Sequence, residues 1–111
     1  MPTYKAPVED VVFLLRDVLG YERYGNIPGF ADAPIDMVET ILSEGGRFCE
    51  EVLAPLNRSG DQEGCRLENG TVATPKGFKA AYDQYVENGW SGLAADPDYG
   101  GQGLPHTLAA A

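Results

Sequence analysis

The sequence predicts an all-α chain: three main helices, a glycine-rich loop and a truncated fourth helix. Three observations carry this. Apolar residues recur at spacings of three and four over 8–19, 35–53 and 75–88. Prolines stand where those stretches begin, and glycines stand where the first and third end. Residues 89–105 then gather Gly89, Gly92, Gly100, Gly101 and Gly103 with Pro97 and Pro105 around Trp90 and Tyr99, a mixture that suits neither a helix interior nor a central strand.

The first helix is expected to begin at Pro7 or Val8 and to end at Leu19. Pro7 suits the first helical position, Glu9 and Asp10 suit the positive end of the dipole, and Gly20 stands where a left-handed cap would sit. Val8, Val11, Val12, Leu15, Val18 and Leu19 form one stripe, which Phe13 and Leu14 make wider than a single core face needs. Residues 20–33 read as an ordered tether, broken by Gly25, Pro28 and Gly29 and held down by Tyr21, Tyr24, Ile27 and Phe30.

The second helix is expected to start at Ile35 behind Asp32 or Ala33 as cap, with Pro34 at its first turn, and to reach about Leu53, where Pro55 ends it. Val38, Ile41, Leu42, Gly45, Cys49, Val52, Leu53 and Leu56 keep its helical spacing. Gly45-Gly46 in its middle costs about 1 kcal/mol per glycine relative to alanine. Close approach of a neighbour would offset that; a functional kink or ligand contact is the alternative. Residues 57–74 turn polar and loop-like, with Asn69-Gly70 predicting a tight turn in a small hairpin. Asp61, Glu63 and Glu68 fit no standard calcium loop and read as a solvated acidic stretch. The third helix is placed from Pro75 to Asn88, with Thr74 as N-cap, Gly89 just past its end, and Phe78, Ala81, Tyr82, Tyr85 and Val86 as its core face. Residues 106–111 read as the first turns of a further helix.

The chain has 111 residues, room for one domain with a modest core. A net charge of −9, with its eight Lys and Arg scattered singly, argues against a nucleic-acid partner. Nothing resembles a secretory signal or a membrane span, so a cytoplasmic location is the expectation. Cys49 and Cys65 are too few for a zinc site, and Cys49 reads as a small core residue. His106 is the single histidine, which removes a Ser-His-Asp constellation and histidine-built metal sites. Gly100-Gly101-Gln102-Gly103 precedes no Lys-Ser or Lys-Thr pair and follows no strand, so it is neither a P-loop nor a dinucleotide fingerprint. It reads as a shaped turn entering a helix, with Leu104 and Tyr99 as packing anchors. Glu39, Glu44, Glu50, Glu51 and Glu87 are helix-surface carboxylates by position.

Several of these residues carry a resemblance. Gly89-Trp90, Gly92-Leu93, Asp96-Pro97-Asp98 and Tyr99-Gly100-Gly101-Gln102-Gly103-Leu104-Pro105 together resemble the N-terminal helical domain of acyl-CoA dehydrogenases. Leu53-Ala54-Pro55-Leu56-Asn57, Gly60-Asp61 and the run from Gly70 to Phe78 are similar to one bacterial branch of that family. That branch has an added N-terminal segment like Tyr4-Lys5-Ala6-Pro7 through Phe13, and includes enzymes of 3-methylmercaptopropionyl-CoA and fatty acyl-CoAs. The resemblance covers nearly the whole chain.

It implies an FAD-dependent α,β-desaturation of an acyl-CoA thioester, in which a carboxylate removes the α-proton, the β-hydride goes to the flavin, and electrons pass to electron-transfer flavoprotein. It implies a homo-oligomer with a middle β-domain and a C-terminal helical bundle. Flavin contacts and the catalytic glutamate are expected from those later segments, so no catalytic or cofactor-binding residue is assigned in this chain. Residues 1–32 are expected to be an N-terminal extension helix and tether, and 33–111 the incomplete start of the helical domain. Tyr99, Gly100, Gly101, Gly103 and Leu104 are expected beside the acyl pocket, because the following helix helps to line it. On this reading the chain belongs to a longer enzyme and is inactive alone. A free-standing acidic helical interaction module is the alternative, motivated by the wide apolar face of the first helix.

Overall fold

The computed structural model describes residues 3–111. Helix α1 (Val8–Phe13) runs on into a π-helical turn, Leu14–Val18, where the Leu19 N–H donates to the carbonyl of Leu14, five residues back. Gly20 follows at φ 63°, the left-handed position expected of it. The tether carries a short 3₁₀ turn, Tyr21–Tyr24, and returns to α2 with Phe30 against both Tyr21 and Tyr24 at ring separations of 5.5 and 5.8 Å.

Helix α2 (Ile35–Phe48) starts at Pro34, which serves as N-cap with an extended backbone; neither Asp32 nor Ala33 caps it. Ala33 is instead fully buried, and its carbonyl accepts the Tyr21 hydroxyl at 2.7 Å. Burial pushes the pKa of that phenol up, since it disfavours the charged phenolate. The helix does not end at Pro55. A second π turn, Cys49–Leu53, leads into α3 (Ala54–Glu63), so one helical rod reaches from Ile35 to Glu63. A proline clashes with the carbonyl four residues back and lacks an N–H. Placed within the first two residues of α3, just past the widened turn, Pro55 is accommodated where an uninterrupted α-helix would break.

Gly64 ends α3 at φ 69°. Strands β1 (Arg66–Glu68) and β2 (Thr71–Ala73) pair antiparallel in the register Leu67 opposite Val72, joined by Asn69-Gly70 with both residues at positive φ. The chain then makes a turn, Phe78 N–H to Pro75 carbonyl at 3.2 Å, before α4 (Phe78–Glu87) begins. The third predicted helix therefore starts three residues later than the sequence suggests. Gly77, at φ 90°, is its N-cap in place of Thr74, because a left-handed residue interrupts the helical path. Leu56 approaches so closely that a Cβ on Gly77 would lie 2.8 Å from it. Gly89 closes α4 at φ 80° as expected, and α5 (His106–Ala110) ends the chain.

One core holds these elements. Leu15, Tyr21, Ala33, Val38, Leu104 and Leu108 are buried together, with Val11, Phe30, Ile35, Ile41, Leu42 and Leu93 packed against them. Val38 and Ala33 have no exposure at all. The glycine pair in α2 is explained by close approach. The Trp90 ring lies 3.5 Å from where a Gly45 Cβ would be, and Ala6 Cβ lies 2.8 Å from that of Gly46.

Much apolar surface stays open. The α4 face expected as core keeps only Ala81 buried; Phe78, Tyr82, Tyr85 and Val86 are exposed, as are Phe13, Leu14, Val18 and Leu19 around α1. The accessible surface is 7881 Å², about a third above the ~6,000 Å² expected of a compact monomer of this mass. The molecule is a slab of 54 × 38 × 17 Å. Its short dimension is less than two helix diameters, so much of each helix faces outward.

Glu63 ties the end of α3 to the turn before α4: its Oε2 accepts the Lys76 backbone N–H at 2.6 Å, and its Oε1 accepts from Arg66 at 3.3 Å. The Lys76 N–H, helped by Arg66, holds the Glu63 carboxyl below its ordinary range. A depressed folded pKa gives stability that is present above the unfolded value and lost as pH falls through the folded one. The Lys76 amide resonance should therefore titrate with a midpoint below that of an ordinary glutamate, and the titration should vanish in Glu63→Gln. Gly45→Ala meets only ordinary van der Waals contact and should be neutral or stabilise by up to about 1 kcal/mol. Gly46→Ala must push Ala6 away and should destabilise by about 1–3 kcal/mol. Denaturant melts of the two variants check the opposite signs.

Candidate functional site

The segment from Gly89 to Pro105 is a loop whose shape comes from its own backbone. After a 3₁₀ turn, Trp90–Gly92, the two sides of the loop are laced by Gln102 N–H to the Gly92 carbonyl, Leu104 N–H to Leu93 and Gly103 N–H to Ala95, each 2.9 Å. The Gln102 side chain also donates to the Gly89 carbonyl at 3.1 Å, fastening the loop to the end of α4. At the tip, Asp96 caps the 3₁₀ turn Pro97–Tyr99 by accepting the Asp98 N–H at 2.9 Å.

The glycines have separate reasons. Gly101 lies against the Ala95 backbone so closely that a Cβ would overlap its carbonyl group. Gly100 and Gly103 have φ values of 88° and 65°. Leu104 is buried and anchors the loop to the core, as expected. Tyr99 is 89% exposed at the tip, so it is no packing anchor in this chain.

An apolar cavity of about 270 Å³ lies between the N-terminal segment, α2 and the flanks of this loop. Trp90 and Leu93 reach it from before the loop tip, Leu108 and Ala109 from α5, and Ile41, Leu42 and Cys49 from the α2 rod. None of Tyr99, Gly100, Gly101, Gly103 or Leu104 lines it. Cys49 is half-buried. The Trp90 indole N–H is enclosed without an acceptor, the one such buried side-chain atom among the described residues.

The carboxylates of residues 61–68 form no cluster. Glu63 and Glu68 both accept from Arg66, and no group of three or more potential metal ligands occurs among the described residues. Glu39, Glu44, Glu51 and Glu87 are exposed on their helices. Glu50 departs from that pattern: it is half-buried, and its Oε1 accepts the Ala6 backbone N–H at 2.8 Å. Sequence reasoning missed it, although Gly45-Gly46 one turn earlier signalled a neighbour at this place.

No family model matches the chain. It is 42% identical over 109 residues, 98% of its length, to 3-methylmercaptopropionyl-CoA dehydrogenase of Ruegeria pomeroyi. Its homologues are acyl-CoA dehydrogenases. Two more distant ones are a broad-specificity linear acyl-CoA dehydrogenase of Mycobacterium tuberculosis, 29% identical over 97% of this chain, and a butyryl-CoA dehydrogenase of Syntrophomonas wolfei, 29% identical over 78%. The chain spans 18%, 18% and 15% of the lengths of these three relatives.

In this acyl-CoA dehydrogenase homologue the loop from Asp98 to Leu104 leaves no free backbone N–H to cradle the diphosphate of the FAD that the resemblance implies. Every backbone N–H from Asp98 to Leu104 already donates within the loop, and Asp96 and Asp98 add negative charge at its tip. No helix among the described residues is long and apolar enough to cross a membrane.

Gly101→Ala should open the loop, since a backbone group cannot move aside without breaking the lacing. Hydrogen exchange at the Gln102, Gly103 and Leu104 amides should accelerate. Gly100→Ala has free space around it and only conformational strain of about 1–2 kcal/mol. It should leave those amides protected.

Proposed function

We propose that this chain is the N-terminal part of an FAD-dependent acyl-CoA dehydrogenase, which desaturates an acyl-CoA thioester between Cα and Cβ. The 42% identity maintained over 98% of the chain carries the proposal. FAD supplies the hydride acceptor in that reaction. The chain's own part is architectural: residues 1–32 act as an N-terminal extension and tether, 33–111 begin the helical domain, and the laced loop directs α5 towards the acyl pocket. On this reading Tyr99, Gly100, Gly101, Gly103 and Leu104 shape the loop beside that pocket, and the catalytic base and flavin contacts come from other segments. The whole enzyme works in the cytoplasm as a homo-oligomer and hands electrons to electron-transfer flavoprotein.

The exposed apolar surface favours one other reading, a helical interaction module that binds a partner without catalysis. The two readings agree that the isolated chain should self-associate or melt at low temperature. They separate on the product of the complete reading frame. If the enzyme reading holds, that product is yellow, its flavin bleaches under anaerobic conditions on adding 3-methylmercaptopropionyl-CoA or a fatty acyl-CoA, and an enoyl-CoA forms. A colourless product that binds no FAD and leaves every acyl-CoA unchanged defeats it. The chain of 111 residues alone should neither retain FAD nor form enoyl-CoA.

A further inference from the structure

We infer that residues 4–7 are a displaceable strap over the apolar cavity, latched by the Glu50 carboxylate. The strap forms no helix or strand; its Ala6 and Pro7 carbonyls accept the Val8 and Val11 N–H groups of α1 at 2.8 and 3.0 Å, which ties only its C-terminal end. Tyr4, Ala6 and Pro7 form one wall of the cavity; Ile41, Leu42, Phe48 and Cys49 stand on the α2 side. What holds that wall is local. The Ala6 N–H donates to Glu50 Oε1 at 2.8 Å across 44 residues of sequence. Lys5 Nζ lies 3.8 Å from Glu50 Oε2, but the lysine is 80% exposed, and such a pair adds little. Ala6 Cβ rests on Gly46 with no room for a further atom.

Against this, Thr3, Lys5 and Pro7 are exposed and Tyr4 keeps 47% of its surface open, so the strap buries no side chain completely. Pro7, at φ −81° and ψ 54°, lies outside both helical and extended geometry, and the chain changes direction there on entering α1. A segment held to α2 by one hydrogen bond and one exposed ion pair, and only partly buried, opens more readily than the core it covers. The latch itself sits in the second π turn, Cys49–Leu53. Widened turns of this kind are often found at functional positions in helices. Opening would expose Cys49 and the apolar side chains beside it, while the core around Val38 stays closed.

Cys49 and Cys65 make the test internal, because Cys49 lines the cavity and Cys65 is exposed on the far side of α3 in sequence. Alkylation by iodoacetamide is followed by peptide mass spectrometry on the protein expressed from its complete reading frame. Cys49 should react more slowly than Cys65. Glu50→Ala should accelerate Cys49 about tenfold, the order expected for losing one hydrogen bond to a charged acceptor, and leave Cys65 unchanged. Glu50→Gln removes the charge beside the thiol and keeps an acceptor, so it should retain most of the protection. In the unaltered protein the Ala6 amide should exchange more slowly than that of Lys5. The inference is overturned if Glu50→Ala leaves Cys49 unchanged, or if Glu50→Gln accelerates it as much as Glu50→Ala. It is also overturned if the Ala6 amide exchanges as fast as its neighbour.

Discussion

The buried face of α2 around Val38 is the constraint on which the rest of the molecule depends. Three stretches close on it: the π turn after α1 through Leu15, the tether through Tyr21 and Ala33, and the last segment through Leu104 and Leu108. Val38 has no exposure, and a buried side-chain hydrogen bond, from the Tyr21 hydroxyl to the Ala33 carbonyl, fixes how the tether crosses the start of α2. A buried pair of this kind contributes about 1 kcal/mol, but leaving either partner alone costs more, so it specifies the crossing. The laced loop then has a fixed base from which to present its tip, because Leu104 belongs to the same cluster as Val38.

Away from that cluster the slab changes character. Phe78, Tyr82, Tyr85 and Val86 of α4 and the outer face of α1 are apolar like the core, yet they face outward. A layer 17 Å thick cannot cover all faces of helices that are themselves about 10 Å across. The apolar stripes in the sequence therefore record more neighbours than the chain itself supplies. This agrees with homologues several times its length.

Helix existence was legible wherever the three-and-four spacing was long, and so was the hairpin at Asn69-Gly70. The misplaced boundaries share a cause. Pro55 reads as a terminator because its effect is judged on an ideal α-helix, and nothing in local composition signals that a widened turn will absorb it. Thr74-Pro75 has the chemistry of a helix start, but Gly77 takes a left-handed conformation two residues later and overrides it. At the loop, the glycines announced a shaped turn. Their separate reasons, a backbone contact at Gly101 and positive φ at Gly100 and Gly103, depend on which carbonyl lies opposite. Glu50 reads as a surface carboxylate in sequence because its donor lies 44 residues away. Tyr99 reads as an anchor because aromatic residues usually pack, whereas it stands exposed at the end of the 3₁₀ turn Pro97–Tyr99.

The π turn between α2 and α3 also sets which way the rod faces. Eighteen residues make five turns of an ideal α-helix, so in an unbroken rod Gly60 would point the same way as Leu42. One surplus residue in the joint winds everything downstream back by about 100°. Leu42 therefore looks towards the cluster around Val38, while Leu56 and Gly60 look towards Gly77 and the Phe78 ring. A single cylinder is thereby keyed to two neighbours on different sides. The change in angular register amounts to one inserted amino acid, a step that a lineage can gain or lose in one event without rebuilding either half.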